Sequence, residues 1–109
     1  MIPGIISKIS ESTISIAGLA NRIRPKTDLV HILGVGVEID IIDPPFGRHQ
    51  GCMIILHAVQ GTVGATSVTL TQNGNIYQGA AIKAQGSITL VWSVRLTGWL
   101  IMSGQNAQV

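Results

Sequence analysis

Apolar and polar residues alternate in short runs along this chain, with turn residues between them, and the pattern predicts many short strands. Ser12–Ala17 sets Ile14 and Ile16 against Thr13 and Ser15, and Gly18 ends it. Asn21–Arg24 is a shorter piece stopped by Pro25, and Leu29–Leu33 follows with His31 at its middle. Val37–Ile41 alternates most cleanly, with Val37, Ile39 and Ile41 on one face and Glu38 and Asp40 on the other. Gly51–His57 is apolar on both faces, which predicts a strand buried on both sides. Ala65–Thr71 alternates again and runs into Asn73-Gly74, the favoured two-residue hairpin turn, before Ile76–Tyr77. Ala80–Ala84 is a weaker strand piece that Gln85-Gly86 turns into the last element.

That last element, Ser87–Ser103, is a closing β-hairpin. Ile88, Leu90 and Trp92 share a face, Arg95–Gly98 breaks the run, and Trp99 and Ile101 resume it. Both tryptophans of the protein lie here, in a chain with only 4% aromatic residues, so the hairpin is expected to plug the core. No stretch of 10–12 residues has a helical period. The expected fold is all-β, a small antiparallel sandwich or barrel. Ile39, Ile41, Ile54, Leu56, Leu90, Trp92, Trp99 and Ile101 are the expected packing residues.

Residues 1–29 read differently. Pro3-Gly4 prevents regular structure at the start, and Ile2, Ile5, Ile6 and Ile9 belong to no strand pattern. They predict an extended N-terminal arm laid on a partner surface, followed by a short strand, with the β domain over 30–109. The alternative is that the alternating Ser12–Ala17 makes the segment a strand of the protein's own fold.

Composition adds a partner to the picture. The chain has 109 residues, enough for one domain, with 46% hydrophobic but only 11% charged residues. Soluble domains usually carry about 25% charged residues. A chain so poor in charge is expected to cover its surface with other chains, as a homo-oligomer or as part of an assembly. Net charge is +2, and all five acids (Glu11, Asp28, Glu38, Asp40, Asp43) precede residue 44. Arg22, Arg24 and Lys26 form the one basic cluster. It is too small to track a nucleic-acid backbone and is expected to be either a solvated loop or a docking contact to an acidic partner. The start of the chain has neither the basic region nor the long apolar region of a signal peptide, and no run approaches the length of a membrane span.

Candidate chemistry is sparse. His31, His49 and His57 stand at separations that match no zinc or metalloprotease spacing, so each reads as a packed strand residue. Gly34-x-Gly36 lacks the third glycine and the helix of a dinucleotide site. Glu38 and Asp40 read as the solvated face of a strand rather than an acid–base pair. Cys52 is alone, which rules out an internal disulfide, and its apolar flanks predict a buried thiol. No enzymatic activity and no cofactor are expected.

Taken in order, the pieces resemble the small β domains of tailed-bacteriophage virion proteins, the head-decoration, head-fibre and tail-fibre modules. The matching pieces are Val30-His31-Ile32, Val37–Ile41, Asp43-Pro44-Pro45-Phe46, Gly51–Leu56, Ser67–Thr71, Gly74-Asn75-Ile76, Ser87–Trp92 and Gly98-Trp99. They span residues 30–103. The linker Val94-Arg95-Leu96-Thr97 departs from the pattern, where an Asp-Gly turn is commoner. The resemblance implies a non-enzymatic virion protein, interwound as a homotrimer, made in the host cytoplasm and placed on the capsid surface. The few residues before the module suit a free-standing capsid cement or decoration protein better than a long fibre. Its partner would be the phage major capsid protein, with Ile2, Ile5, Ile6 and Ile9 in capsid grooves and Arg22, Arg24 and Lys26 against acidic capsid residues. A head-fibre or tail-fibre tip that binds a host receptor or glycan is the alternative.

Overall fold

The structure is a computed structural model that describes residues 10–16, 22–43, 52–62, 64–72 and 74–108. Strands β1 (Glu11–Ser15), β2 (Arg22–Ile23), β3 (Leu29–Leu33), β4 (Val37–Ile39), β5 (Ile41–Ile42), β6 (Met53–Ala58), β7 (Thr66–Leu70), β8 (Ala80–Ser93) and β9 (Gly98–Gln108) follow in order, with no helix among the described residues. Seven of them form one curled mixed sheet, half of a barrel, and β2 and β5 form a separate parallel pair.

Everything is hung on β8. Its 14 residues alternate inward and outward without a slip: Ala80, Ile82, Ala84, Gly86, Ile88, Leu90 and Trp92 are buried, and the residues between them are not. Its first half pairs with β7, from Leu70↔Ala80 to Thr66↔Lys83, and β7 carries β4 beyond it. Its second half pairs with β6, from His57↔Ser87 to Met53↔Val91, and β6 carries β3 and then β1. Strand β9 runs along the other edge of both halves. The halves meet at Gln85-Gly86, where Gln85 takes a positive φ of 67° and the pairing with β9 skips from Ile82 to Ser87. This irregularity bends β8 instead of ending it, so the inward faces of the two half-sheets close on a single core. Val30 and Ile32, Ile54 and Leu56, Val37 and Ile39, Val68 and Leu70 fill it from four strands.

The antiparallel expectation is only partly met. β6, β7 and β9 run antiparallel to β8, whereas β1·β3, β3·β6, β4·β7 and β2·β5 are parallel. A parallel neighbour needs a long crossover rather than a tight turn. Here residues 34–52, including β4 and β5, are the crossover between β3 and β6. The two halves are therefore woven in alternation along the chain. Ser67 holds the weave together: its buried hydroxyl lies against the carbonyl oxygens of Gly34 (3.1 Å), in the β3–β6 crossover, and Gln60, in the β6–β7 connection.

Three local expectations are corrected. The Val37–Ile41 strand breaks at Asp40, because β4 pairs with β7 and β5 leaves to pair with β2. The break shifts the phase, so Ile42, fully buried, takes the core position expected of Ile41, which is half-exposed. Asn73-Gly74 is not a two-residue hairpin. The β7–β8 connection spans residues 71–79, and Ile76 bridges to Trp99 instead. Strand β6 is buried on one face only, with Ile54, Leu56 and Ala58 inward and Met53 exposed.

The long 71–79 connection is seated by Asn75, whose side chain imitates a strand against β5. Its Oδ1 accepts from the Ile42 amide at 2.9 Å, and its Nδ2 donates to the Ile42 carbonyl at 2.7 Å. The buried Trp99 indole donates to that same carbonyl at 2.8 Å. Trp99 and Trp92 stand opposite each other on the β8–β9 hairpin, edge to face with centroids 5.3 Å apart. Gly98 is required beside them, since a Cβ there would meet the Tyr77 ring at 2.3 Å.

Candidate functional site

The outward faces of the two half-sheets, the first formed by β1, β3, β6 and residues 87–93 of β8 and the second by β4, β7 and residues 80–84 of β8, carry different chemistry. On the second half-sheet, Glu38, Thr69 and Ala81 stand in one register row, with Thr66 and Lys83 nearby. Glu38 and Lys83 are exposed there. This is an ordinary solvated strand face.

On the first half-sheet the outward residues include an apolar strip of Leu29, Ile55, Met53, Val91 and Leu100, each beside the next. Leu29 is in register with Ile55, Met53 follows Ile55 on the same face of β6, and Met53 is in register with Val91 and Val91 with Leu100. Met53 is 53% exposed, and the other four are partly exposed. Thr89 and Ser103 extend the face along the Ile55 row, and Met102, the extra residue of a bulge in β9, is 62% exposed at its edge. Glu11, at the far end, is the one carboxylate on the outward positions of β1, β3, β6 and the second half of β8. Leu29, Ile55, Met53, Val91 and Leu100 thus make an apolar strip on an open sheet face.

Beside the strip, β1, β3 and β6 place three polar side chains in a chain of contacts. His31 Nδ1 and His57 Nδ1 are 2.9 Å apart, with their rings nearly perpendicular. His31 Nε2 is 2.8 Å from Glu11 Oε1. His31 and His57 are direct register partners, although 26 residues separate them in the chain. Thr13 and Ser87 continue the same row on either side. No local spacing motif signals this arrangement; it is visible only once β3 and β6 are known to be parallel neighbours in this register.

The basic cluster is not an open positive patch. Arg22 donates from Nη2 to Asp43 Oδ1 at 2.8 Å and from Nε at 3.0 Å, and Arg24 Nε lies 2.9 Å from Asp43 Oδ2. The hydrogen bonds and charge of Asp43 raise the Arg22 guanidinium above its ordinary value, so it stays charged at every accessible pH. These contacts clamp β2 to the end of β5, and Ile23 between the two arginines is buried in the core. Lys26 is exposed. Ile2, Ile5, Ile6 and Ile9 lie outside the described residues, as does His49. Within the described part of residues 1–29, β1 is built into the sheet against β3, with the Leu29 amide bonded to the Ser10 carbonyl at 3.0 Å, and β2 pairs with β5.

Of the expected packing residues, Ile39, Ile54, Leu56, Leu90 and Trp99 are buried completely and Trp92 almost so. Ile101 is partly buried against the core, as is Cys52, which is in no disulfide. Glu38 and Asp40 form no pair, since Glu38 faces solvent while Asp40 sits in the strand break with Oδ1 shut from water. Among the described residues no group of three or more His, Cys, Asp or Glu is placed to hold a metal ion, and no helix is long and apolar enough to cross a membrane. No protein-family model matches the chain, and no curated protein matches its sequence.

Proposed function

We propose that this chain is a structural protein of a virion, a capsid cement or decoration module that works as a homotrimer and bridges capsid subunits. The observation that carries the reading is the apolar strip Leu29–Ile55–Met53–Val91–Leu100 on an outward face that the fold itself leaves uncovered. Core residues already fill the inward face, so the apolar surface that the strip still exposes is open to a partner. Covering it with a second copy would remove apolar surface at ~25 cal/mol per Å². The 11% charge content agrees, because a chain whose surfaces are shared needs few charges of its own. The order of elements over residues 30–103 supplies the phage virion resemblance. In this reading Ile2, Ile5, Ile6 and Ile9 dock in capsid grooves, and a trimer presents them three at a time. The fibre-tip alternative is less favoured: Tyr77, its best aromatic contact, already donates its hydroxyl to the Leu96 carbonyl at 2.6 Å.

The test is reconstitution. Deleting residues 1–9 spares every described strand, so the truncated chain folds and trimerises but no longer decorates capsids that lack the protein. Retained decoration would contradict the docking role. Localisation at a tail tip in an electron-microscopic reconstruction would replace the cement reading by the fibre one.

A further inference from the structure

We propose that His31 and His57 form a two-imidazole binding site for a transition-metal cation that favours square-planar or tetragonal nitrogen coordination, Cu²⁺ foremost. The site draws on residues other than the apolar strip, although it lies on the same outward face, one register row away from Leu29 and Ile55. It begins with the register of β3 and β6, which sets the two histidines directly opposite each other on the outward face. Glu11 then fixes one of them. Its Oε1 accepts the hydrogen on His31 Nε2 at 2.8 Å, which leaves the lone pair of the neutral ring on Nδ1. A carboxylate on the far nitrogen is the usual orienting partner of a metal-bound histidine.

That lone pair faces His57 Nδ1 at 2.9 Å. Without a cation, the two nitrogens share one hydrogen, which His57 donates. With a cation, that hydrogen leaves as a proton to solvent, His57 carries its remaining hydrogen on Nε2, and both Nδ1 atoms bind. The hydrogen-bonded spacing of 2.9 Å is also compatible with one coordination geometry. Two nitrogens bound at ~2.0–2.1 Å and at right angles stand about 2.9 Å apart, whereas a tetrahedral angle would require about 3.3 Å. A right-angle pair of imidazoles suits Cu²⁺ or Ni²⁺, and Cu²⁺ heads the affinity order of the divalent series. Water fills the remaining corners, because the neighbours in the row are the hydroxyl residues Thr13 and Ser87. The His31 side chain is 27% exposed and that of Glu11 57%, so the cation has a path from solvent.

The test is titration of the purified full-length chain with CuCl₂ in a non-chelating buffer at neutral pH, followed by calorimetry and by electron paramagnetic resonance. Wild-type protein binds one Cu²⁺ per chain, with nitrogen superhyperfine coupling from two imidazoles. His31→Gln and His57→Gln each weaken binding at least tenfold. Glu11→Gln, which touches only the far nitrogen, weakens it about 10–100-fold while leaving both nitrogens in the spectrum. His49→Gln leaves affinity unchanged. Circular dichroism checks that the variants fold, and the wild-type spectrum decides the matter if one does not. A hydrogen-bonded pair only, seen as equal Cu²⁺ affinity in wild type and the His31→Gln/His57→Gln double variant, overturns the proposal. So does loss of binding with His49→Gln alone, or a wild-type spectrum without two imidazole nitrogens.

Discussion

The two half-sheets share a strand, an edge and a core, yet their outward faces have little in common. Within β8 itself, the outward residues of the first half are Ala81 and Lys83, and those of the second are Ser87, Thr89 and Val91. The inward residues are equally apolar in both halves, because one core requires it of both. Folding makes no such demand on the outward faces. Glu38, Thr69 and Lys83 satisfy water on one side, while Leu29, Ile55, Met53, Val91 and Leu100 do not on the other. A difference that folding does not require is what the proposed association rests on.

The largest expected effect lies in what the halves share. Trp99→Ala removes a fully buried ring and the indole donor to Ile42. Replacing a buried tryptophan by alanine costs about 3–5 kcal/mol, most of the margin of a small domain. Denaturant unfolding checks it. Trp92→Ala, partly at the core edge, should fall toward the lower end of that range.

Next comes the seating of the 71–79 connection. Asn75→Ala deprives the Ile42 amide of its acceptor and should cost about 1–3 kcal/mol. Gly98→Ala should cost a similar amount, about 1–3 kcal/mol, because the Tyr77 ring must move aside. Both are read as shifts in the denaturation midpoint, and neither should alter association of the folded protein.

Smaller effects on stability then separate the faces. Thr69→Ser or Glu38→Gln on the solvated half should change stability by no more than about 0.5 kcal/mol and leave the oligomeric state alone. Arg22→Gln should have the least effect of all, a small loss that high salt erases, since its ion pair with Asp43 is exposed.

How much of this was legible in the sequence follows from range. The β8–β9 hairpin was, because alternation on both sides of a short turn is local information, and Trp92 and Trp99 fall opposite each other by counting from that turn. The bend in β8 was not, since Gln85-Gly86 has the composition of a turn. Only the unbroken burial from Ala84 through Gly86 to Ile88 marks it as strand. The parallel pairings were hidden for a different reason. No turn residue encodes which distant strand lies alongside, so β3 beside β6 and β4 beside β7 are set by the fit of the whole core. The slip from Ile41 to Ile42 follows from that, because Asp40 ends one pairing and the next begins out of phase. The His31–His57 contact has the same origin, and each histidine alone looks like a polar residue within an apolar strand. The doubly apolar β6 predicts burial on both faces, whereas the structure buries Ile54, Leu56 and Ala58 and leaves Met53 exposed on the other face.

The central claim is that the outward face of the first half-sheet is an association surface. Light scattering coupled to size exclusion tests it most directly, on wild type and on an Ile55→Lys/Val91→Lys variant, with circular dichroism to check that both fold. The expected result is a wild-type trimer at micromolar concentration and a folded monomer for the variant. A monodisperse wild-type monomer, or a variant that stays trimeric, would contradict it.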